Sequence, residues 1–404
     1  MSLQLSQRVQ RVTLSANAAA KSRVTELREQ GREILDLTTG EPDFDTPLHI
    51  KQAAYAAIER GATKYTATPG VKALRQAIVR KLQDENRLSY QVSQVVVGNG
   101  AKGIIFNAFA ATLNDGDEVL VPVPYWPTFP DSVRFNGGRA VLLECSLEQG
   151  CKLTPEQLEA AIGPRTRWLI LNSPGNPSGA IYGADELLAL AAVLRRHPQV
   201  WVLLDELYEH IRFDGAQPLN LLNVAPDLAP RSLLVGGVSK TYAMTGWRIG
   251  FGAGPAALTD AMAVVQSQSA SGASSVGQAA ALAAFESGLG FLLPQIAAYQ
   301  ERRDLLVQAL GAVEGLQVLA PAGGFFVFVR CADLLGRVRP DGLPIATDDD
   351  LVDWLLEEGV AVVAGSAYGL SPWFRVSIAT ATDSVAIAGQ RIAQACARLR
   401  EVAA

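Results

Sequence analysis

From about residue 92 the chain repeats one phrase: a short run of apolar, largely β-branched residues, a polar or Gly/Pro turn, and usually a helical stretch. The runs are Val95-Val96-Val97, Val119-Leu120-Val121, Ala140-Val141-Leu142-Leu143, Trp168-Leu169-Ile170-Leu171, Trp201-Val202-Leu203-Leu204, Leu233-Leu234-Val235 and Ile249-Gly250-Phe251. Continuous runs of this length suit strands buried on both faces. Stretches such as Ala184 to Arg196 fit the helices that cross between parallel strands. The pattern predicts an α/β fold whose large domain is a mostly parallel seven-stranded sheet flanked by helices. In such sheets ligands collect at the carboxyl ends of the strands, so the turns after the runs are the places to look for chemistry.

The C-terminal part reads differently. A helix pattern with a polar face runs from about Leu293 to Leu310, followed by a strand candidate from Gly324 to Val329 and a helix from Asp349 to Glu358. Next come the run Val360-Ala361-Val362-Val363, the run Phe374-Arg375-Val376-Ser377-Ile378, and a final helix to Arg400. This pattern predicts a smaller α+β domain. With 404 residues, two domains are the default expectation. Residues 1–47 are expected to join the small domain, 48–292 to form the large one, and 293–404 the rest of the small one.

Composition narrows the functions. The net charge is −5 and no lysine-arginine block stands out, so nucleic acid is not an expected partner. Cys145, Cys151, Cys331 and Cys396 form no CxxC or Cys/His cluster, which suits idle thiols in a reducing compartment. With only His49, His197 and His210, a histidine-rich metal site is not expected. No apolar stretch approaches the ~18 residues of a membrane span. No apolar signal core follows Met1, so the expected location is the cytoplasm.

Five segments carry chemistry. In Ser239-Lys240-Thr241-Tyr242-Ala243-Met244-Thr245-Gly246-Trp247-Arg248 a lysine follows a strand end and an arginine lies nearby. A lysine amine becomes a covalent catalyst when it forms a Schiff base with an aldehyde. Arg248 offers a fork of donors for a phosphate that would anchor such an aldehyde. The plain alternative is two surface cations in a turn. Trp201-Val202-Leu203-Leu204 ends in Asp205-Glu206-Leu207-Tyr208. An aspartate there points into the crevice, where it would keep a pyridine ring protonated as an electron sink. Tyr208 can donate to a ring oxygen. Otherwise Asp205 is a helix cap.

Asn172-Ser173-Pro174-Gly175-Asn176-Pro177-Ser178-Gly179 is a stiff loop after a strand, in which Asn176 can reach a ring oxygen and a substrate carboxylate. It is otherwise an ordinary turn. Gly98-Asn99-Gly100-Ala101-Lys102-Gly103 leaves backbone N–H groups free at a helix start, an anion site shared in form by many such turns. In the next turn, Trp126 could stack on a flat ring, or simply pack in a core or an interface. Arg375 lies inside an apolar strand and must find a partner, either a substrate carboxylate or a structural one.

Together and in this order, these segments resemble the fold-type I pyridoxal-phosphate enzymes, in particular the class I/II aminotransferases. The likeness runs from Leu37-Thr38-Thr39-Gly40-Glu41-Pro42-Asp43-Phe44 past Arg375 and is nearest to the bacterial aspartate aminotransferase subgroup. It implies that pyridoxal 5'-phosphate is held as a Schiff base on Lys240, which also moves the proton. It further implies that Asp205 pairs with the pyridine nitrogen, that Tyr208 and Asn176 contact the ring oxygen, and that Trp126 stacks on the ring. Arg248, Ser239 and the backbone at Ala101 and Lys102 would hold the phosphate. Arg375, with Asn176, Trp126 and the backbone of Gly40, would bind the substrate α-carboxylate. Tyr65 would reach the phosphate of a neighbouring subunit, which implies a homodimer with shared sites. Lys102 is consistent with binding a distal carboxylate.

Two departures stand out. Many relatives carry a phosphate-binding serine where this chain has Gly237. The prephenate-using members tend to carry a lysine where this chain has Thr13, which speaks against that substrate. The expected reaction is transfer of an amino group from an L-amino acid, best aspartate or glutamate, to a 2-oxo acid. The alternatives are an aromatic or broad-range aminotransferase, or a lyase on the same scaffold. A pyridoxal-binding domain of a transcription regulator would need a helix-turn-helix module ahead of Leu37, and none is read there.

Overall fold

A computed structural model describes residues 3–14 and 16–401. All seven apolar runs are strands of one sheet: β1 (Val95–Asn99), β2 (Glu118–Val123), β3 (Arg139–Glu144), β4 (Thr166–Asn172), β5 (Trp201–Asp205), β6 (Ser232–Gly237) and β7 (Ile249–Ala253). The spatial order is β1-β7-β6-β5-β4-β2-β3. Strand β7 is antiparallel to both its neighbours, and all other pairings are parallel.

Alternate residues of the central strands enter two separate cores. Ile170, Leu203 and Val235 belong to one; Leu169, Leu171, Val202, Leu204 and Leu234 belong to the other. Neither face meets water, and that is why the runs are continuously apolar. Helices Gly100–Thr112 and Ala256–Ser269 cover the first face, and Lys72–Asp84, Ala184–Arg196 and Ser275–Glu286 cover the second. Leu203 is fully buried, so truncating it to alanine would cost about 2–5 kcal/mol.

The register levels the strand ends. Asn172 stands opposite Asp205, and Asp205 opposite Val235. Strand β1 points the same way as β6, because each is antiparallel to β7. The turns that leave β1, β4, β5 and β6 therefore meet at one crest.

A second sheet contains β8 (Gln317–Leu319), β9 (Phe326–Arg330), β10 (Val363–Ala364) and β11 (Trp373–Ser377), antiparallel in the order β10-β11-β9-β8. Helices Leu293–Gly311 and Thr382–Ala397 share its core through Leu306, Leu310 and Ile392. The N-terminal segment reaches this region too. Leu35–Asp36 pairs in parallel with Val360–Ala361, and the Ser377 N–H donates to the Leu37 carbonyl at 2.9 Å.

Three sequence expectations shift. The run Val360–Val363 is not one strand: Val360 and Ala361 join Leu35–Asp36, Val362 pairs with neither, and Val363, with Ala364, joins β11. Strand β9 begins at Phe326 because Gly324, at φ +73°, makes a left-handed turn before it. The last helix stops at Ala397, and Arg400 instead exchanges backbone hydrogen bonds with Val338 at 2.8 and 2.9 Å.

Candidate active site

A cavity of about 390 Å³ opens at the crest, between the large-sheet turns and the segment Thr38–Glu41. It is lined by Gly40, Ala101, Lys102, Trp126, Asn176, Asp205, Tyr208, Ser239, Lys240, Arg248 and Arg375. Tyr65 is the one expected site residue not brought there: it stands 96% exposed and does not line the cavity.

Lys240 sits in the loop between β6 and β7, and its Nζ donates to the Gly40 carbonyl. Protein encloses the amine closely enough that desolvation pulls its pKa down to about 8; Glu41 opposes the drop, and Arg375 and Arg248 add to it. Asp205 ends β5. Burial pushes its carboxyl up to about 7, against the Leu207 N–H, which donates to Oδ1 at 3.2 Å, and the charge of Lys240. That hydrogen bond is part of the capping role considered from sequence, yet Asp205 also lines the cavity. Tyr208 packs edge-on against Phe325 and Phe326, at ring separations of 5.3 and 5.9 Å. Burial raises its hydroxyl pKa, so the group is a donor at neutral pH.

The phosphate turn forms as the spacing suggests. Helix Gly100–Thr112 starts directly after β1, and Gly100 adopts φ +77°. A Cβ there would collide with the Arg248 guanidinium, so only glycine lets the arginine lie against the turn. Arg248 Nη1 donates to the Thr245 carbonyl at 2.7 Å. Gly237, where relatives carry serine, has a packing reason: an added Cβ would lie 3.1 Å from the Ile249 carbonyl oxygen and 3.2 Å from Gly250 Cα. Lys102 Nζ lies 5.1 Å from the centre of the Trp126 ring. Partial burial, and then the charge of Arg248, hold its amine below the ordinary lysine range.

Arg375 on β11 is fully buried. Its Nη1 donates to Asn176 Oδ1 at 3.1 Å and its Nη2 to the Thr38 carbonyl at 2.7 Å, while Nε has no hydrogen-bond partner among the described residues. Phe326 lies 4.1 Å from the guanidinium carbon. A buried cation without a carboxylate partner is costly, and its geometry suits a bidentate carboxylate ligand. Asn176 is itself held, because its N–H donates to Asn172 Oδ1 at 2.9 Å.

Sequence reasoning missed Lys21, Thr38 and Glu41, which also line the cavity. Thr38 and Glu41 lay inside a quoted motif without being assigned a role, and nothing local marked Lys21. Among the described residues no group of three or more His, Cys, Asp or Glu could hold a metal ion.

The donor set fits a phosphorylated pyridine aldehyde: an enclosed amine, a carboxylate at a strand end, an arginine against a glycine turn, and an orphaned guanidinium Nε. Comparison with known proteins agrees. The family model for aminotransferase class I and II matches residues 32–392, and the chain belongs to that family. The aspartate aminotransferase of Rhizobium meliloti strain 1021 is 49% identical over 97% of this chain and 96% of its own length. The aspartate/prephenate aminotransferase of Cereibacter sphaeroides is 48% identical, covering 98% of this chain and 99% of its own. A crystal structure of the Rhizobium meliloti enzyme superposes with a TM-score of 0.96 at 48% identity, covering 98% of this chain and 100% of that one. The Thermus thermophilus aspartate aminotransferase solved with maleate gives 0.91 at 38% identity over the same shares. This chain is a pyridoxal-phosphate-dependent transaminase.

Proposed function

We propose that the enzyme takes the amino group of aspartate or glutamate and passes it to 2-oxoglutarate or oxaloacetate. The observation that carries this reading is one cation from each sheet's side of the same cavity: Arg375 on β11 and Lys102 on the helix after β1. Two carboxylates can then be bound at once. The Rhizobium meliloti relative's name and the maleate in the Thermus thermophilus structure support a dicarboxylate.

Each chain group has a task. Arg248, Ser239 and the N–H groups of Ala101 and Lys102 hold the cofactor phosphate. Trp126 covers the ring. When bound, pyridoxal phosphate supplies a conjugated ring that draws electron density from the substrate α-carbon. Asp205 holds the proton on the ring nitrogen, and Tyr208 donates to the ring oxygen. Asn176 accepts from Arg375 through Oδ1, which leaves its Nδ2 to donate to the same ring oxygen. Lys240 anchors the aldehyde carbon and moves the proton at the substrate α-carbon, a task suited to an amine whose pKa is near 8. Arg375, with Asn176, Trp126 and the Gly40 backbone, orients the α-carboxylate.

The reading extends to assembly and location. Tyr65 is 96% exposed, and helix Leu48–Glu59 leaves Leu48, Tyr55 and Ile58 exposed beyond it. A homodimer in which Tyr65 serves the partner's phosphate accounts for both. Mixed Tyr65→Ala and Lys240→Ala subunits, each inactive alone, should then regain activity once they exchange. We assign residues 1–47 with 293–404 to a small domain and 48–292 to a large one, following the two sheets, and place the enzyme in the cytoplasm. Four free, buried cysteines fit that compartment, and no single described helix is long and apolar enough to cross a membrane.

The deciding test is Lys102→Ala with four amino acids. Removing a lysine paired to a buried carboxylate costs about 2–5 kcal/mol, so kcat/KM for aspartate and glutamate should fall strongly while alanine and phenylalanine change little. An equal loss for all four would confine Lys102 to cofactor support. A wild-type preference for phenylalanine or a sulfur amino acid, or release of elimination products, would replace the proposal with one of the alternatives.

A further inference from the structure

One cation of the cavity has no task in the scheme above. Lys21, on helix Ala16–Glu29, lines the mouth. Its Nζ lies 3.6 Å from Glu41 Oε1, and the two side chains are 67% and 49% exposed. Glu41 Oε2 in turn accepts a hydrogen bond from Thr245 Oγ1 at 2.9 Å. Lys21, Glu41 and Thr245 therefore run across the mouth, from the N-terminal helix to the loop that follows Lys240.

The seat of that helix matters. Val24 and Leu27 pack with Ile34 and Ala361, and Ala20 packs against the cluster that contains Phe328 and Trp373. Phe328 stands opposite Arg375 in the β9–β11 pairing. The helix that carries Lys21 thus rests on the sheet that carries Arg375, so these two cations are placed by the same scaffold.

The geometry points to Lys21 as a specificity-determining residue, whose ammonium leaves Glu41 to bind the side-chain carboxylate of a dicarboxylic substrate together with Lys102. This inference rests on the dicarboxylate reading. An ion pair this exposed holds its partners weakly, so exchanging one carboxylate for another costs little. A second carboxylate entering an enclosed site needs compensating charge, and Lys102 is a single ammonium. Glu41 makes the need greater, because its own charge repels an incoming dicarboxylate unless a cation lies between them. Removing Lys21 would therefore delete one partner and unmask a repulsion, and both effects fall only on substrates with a second negative charge.

The test uses the holoenzyme of Lys21→Ala, alone and combined with Glu41→Gln. For Lys21→Ala, kcat/KM for aspartate and glutamate should fall about tenfold or more, with alanine and phenylalanine changed less than about twofold. The Kd for maleate, which binds without reacting, should rise by a similar factor in a calorimetric titration. Adding Glu41→Gln should recover part of the loss in both measurements. Unchanged maleate binding in Lys21→Ala, or an equal loss for all four amino acids, would overturn the proposal. If Lys102→Ala is selective against dicarboxylates and Lys21→Ala is not, the dicarboxylate reading survives and only Lys21 fails. If the wild-type enzyme does not prefer dicarboxylates, both fail together.

Discussion

Two groups of charged side chains lie close to the crest, and they are built on opposite rules. Around Lys81 most charges are paired within the chain; Glu206, which accepts from Asn220 Nδ2 at 3.3 Å, is the exception, and burial and then the charge of Glu209 raise its carboxyl. Lys81 Nζ contacts Glu209 Oε1 at 2.5 Å, Asn86 Oδ1 at 2.7 Å and Glu85 Oε2 at 3.6 Å, and Asn86 Nδ2 holds the other Glu209 oxygen at 2.7 Å. His210 lies between Glu85 and the Thr241 hydroxyl, 2.9 Å from each. Burial alone would raise the Glu209 carboxyl, but the charges of Lys81 and His210 and two hydrogen bonds outweigh it and hold the pKa well below the usual range. Around Lys240 burial wins instead: the lysine falls to about 8, Asp205 rises to about 7, and Arg375 keeps an orphaned Nε.

A buried charge already paired inside the chain has little left to offer a ligand. A charge left short of partners destabilises the protein until a ligand arrives. That contrast separates scaffold from site, although Thr241 adjoins Lys240 and so joins the two groups directly.

The comparison can be broken first at the two lysines. Lys240→Ala should lower transamination by about 10⁴-fold or more, and borohydride should no longer fix the cofactor to the chain. Its melting temperature should stay level or rise, since an underpaired amine is removed. A clear fall would put Lys240 in the same class as Lys81. Asp205→Ala should reduce kcat by about 10²-fold or more, roughly 2.7 kcal/mol of transition-state stabilisation, with much less change in substrate binding. Near-normal turnover would reduce Asp205 to a cap.

Lys81→Met tests the scaffold side. It strands Glu209 in a buried place, and breaking such a pair costs about 3–5 kcal/mol. Urea unfolding should show the loss while the folded fraction keeps its kcat. A variant of normal stability and low activity would move the Lys81 group into the site.

The smallest effect is on pH. The Asp205 carboxyl rises from an ordinary 3.8 to about 7 on folding, so ionising it opposes folding. That cost is absent well below pH 4, grows between the two values, and levels off above about pH 7. In cofactor-free protein, Asp205→Asn should therefore stabilise more at pH 8 than at pH 4, read as a shift in the urea midpoint. Glu209→Gln should behave in the opposite sense. Its carboxyl is depressed, so the stability it contributes is present above the ordinary carboxylate range and is lost as pH falls.

Much of the fold could be read locally. Six of the seven runs are strands buried on both faces, which must be apolar at every position, and that is visible in a few residues; the edge strand Arg139–Glu144 is the exception, with Leu142 43% exposed. Asp205, Lys240 and the turn at Gly100 were legible for a related reason: each lies just past one of those runs, where strand ends converge. Other features had no local mark. Strand β7 inserts antiparallel between β1 and β6, although its run looks like the others. The run Val360–Val363 is uniformly apolar, yet two sheets divide it. Arg375 meets the Thr38 carbonyl across 337 positions of chain, Lys240 meets Gly40 across 200, and Lys21 reaches the mouth only because its helix is seated on the small sheet. Burial and βα succession depend on neighbours in sequence, so the chain carried them openly. The charge balance of the cavity depends on residues brought together from distant segments, and the tertiary structure alone decided it.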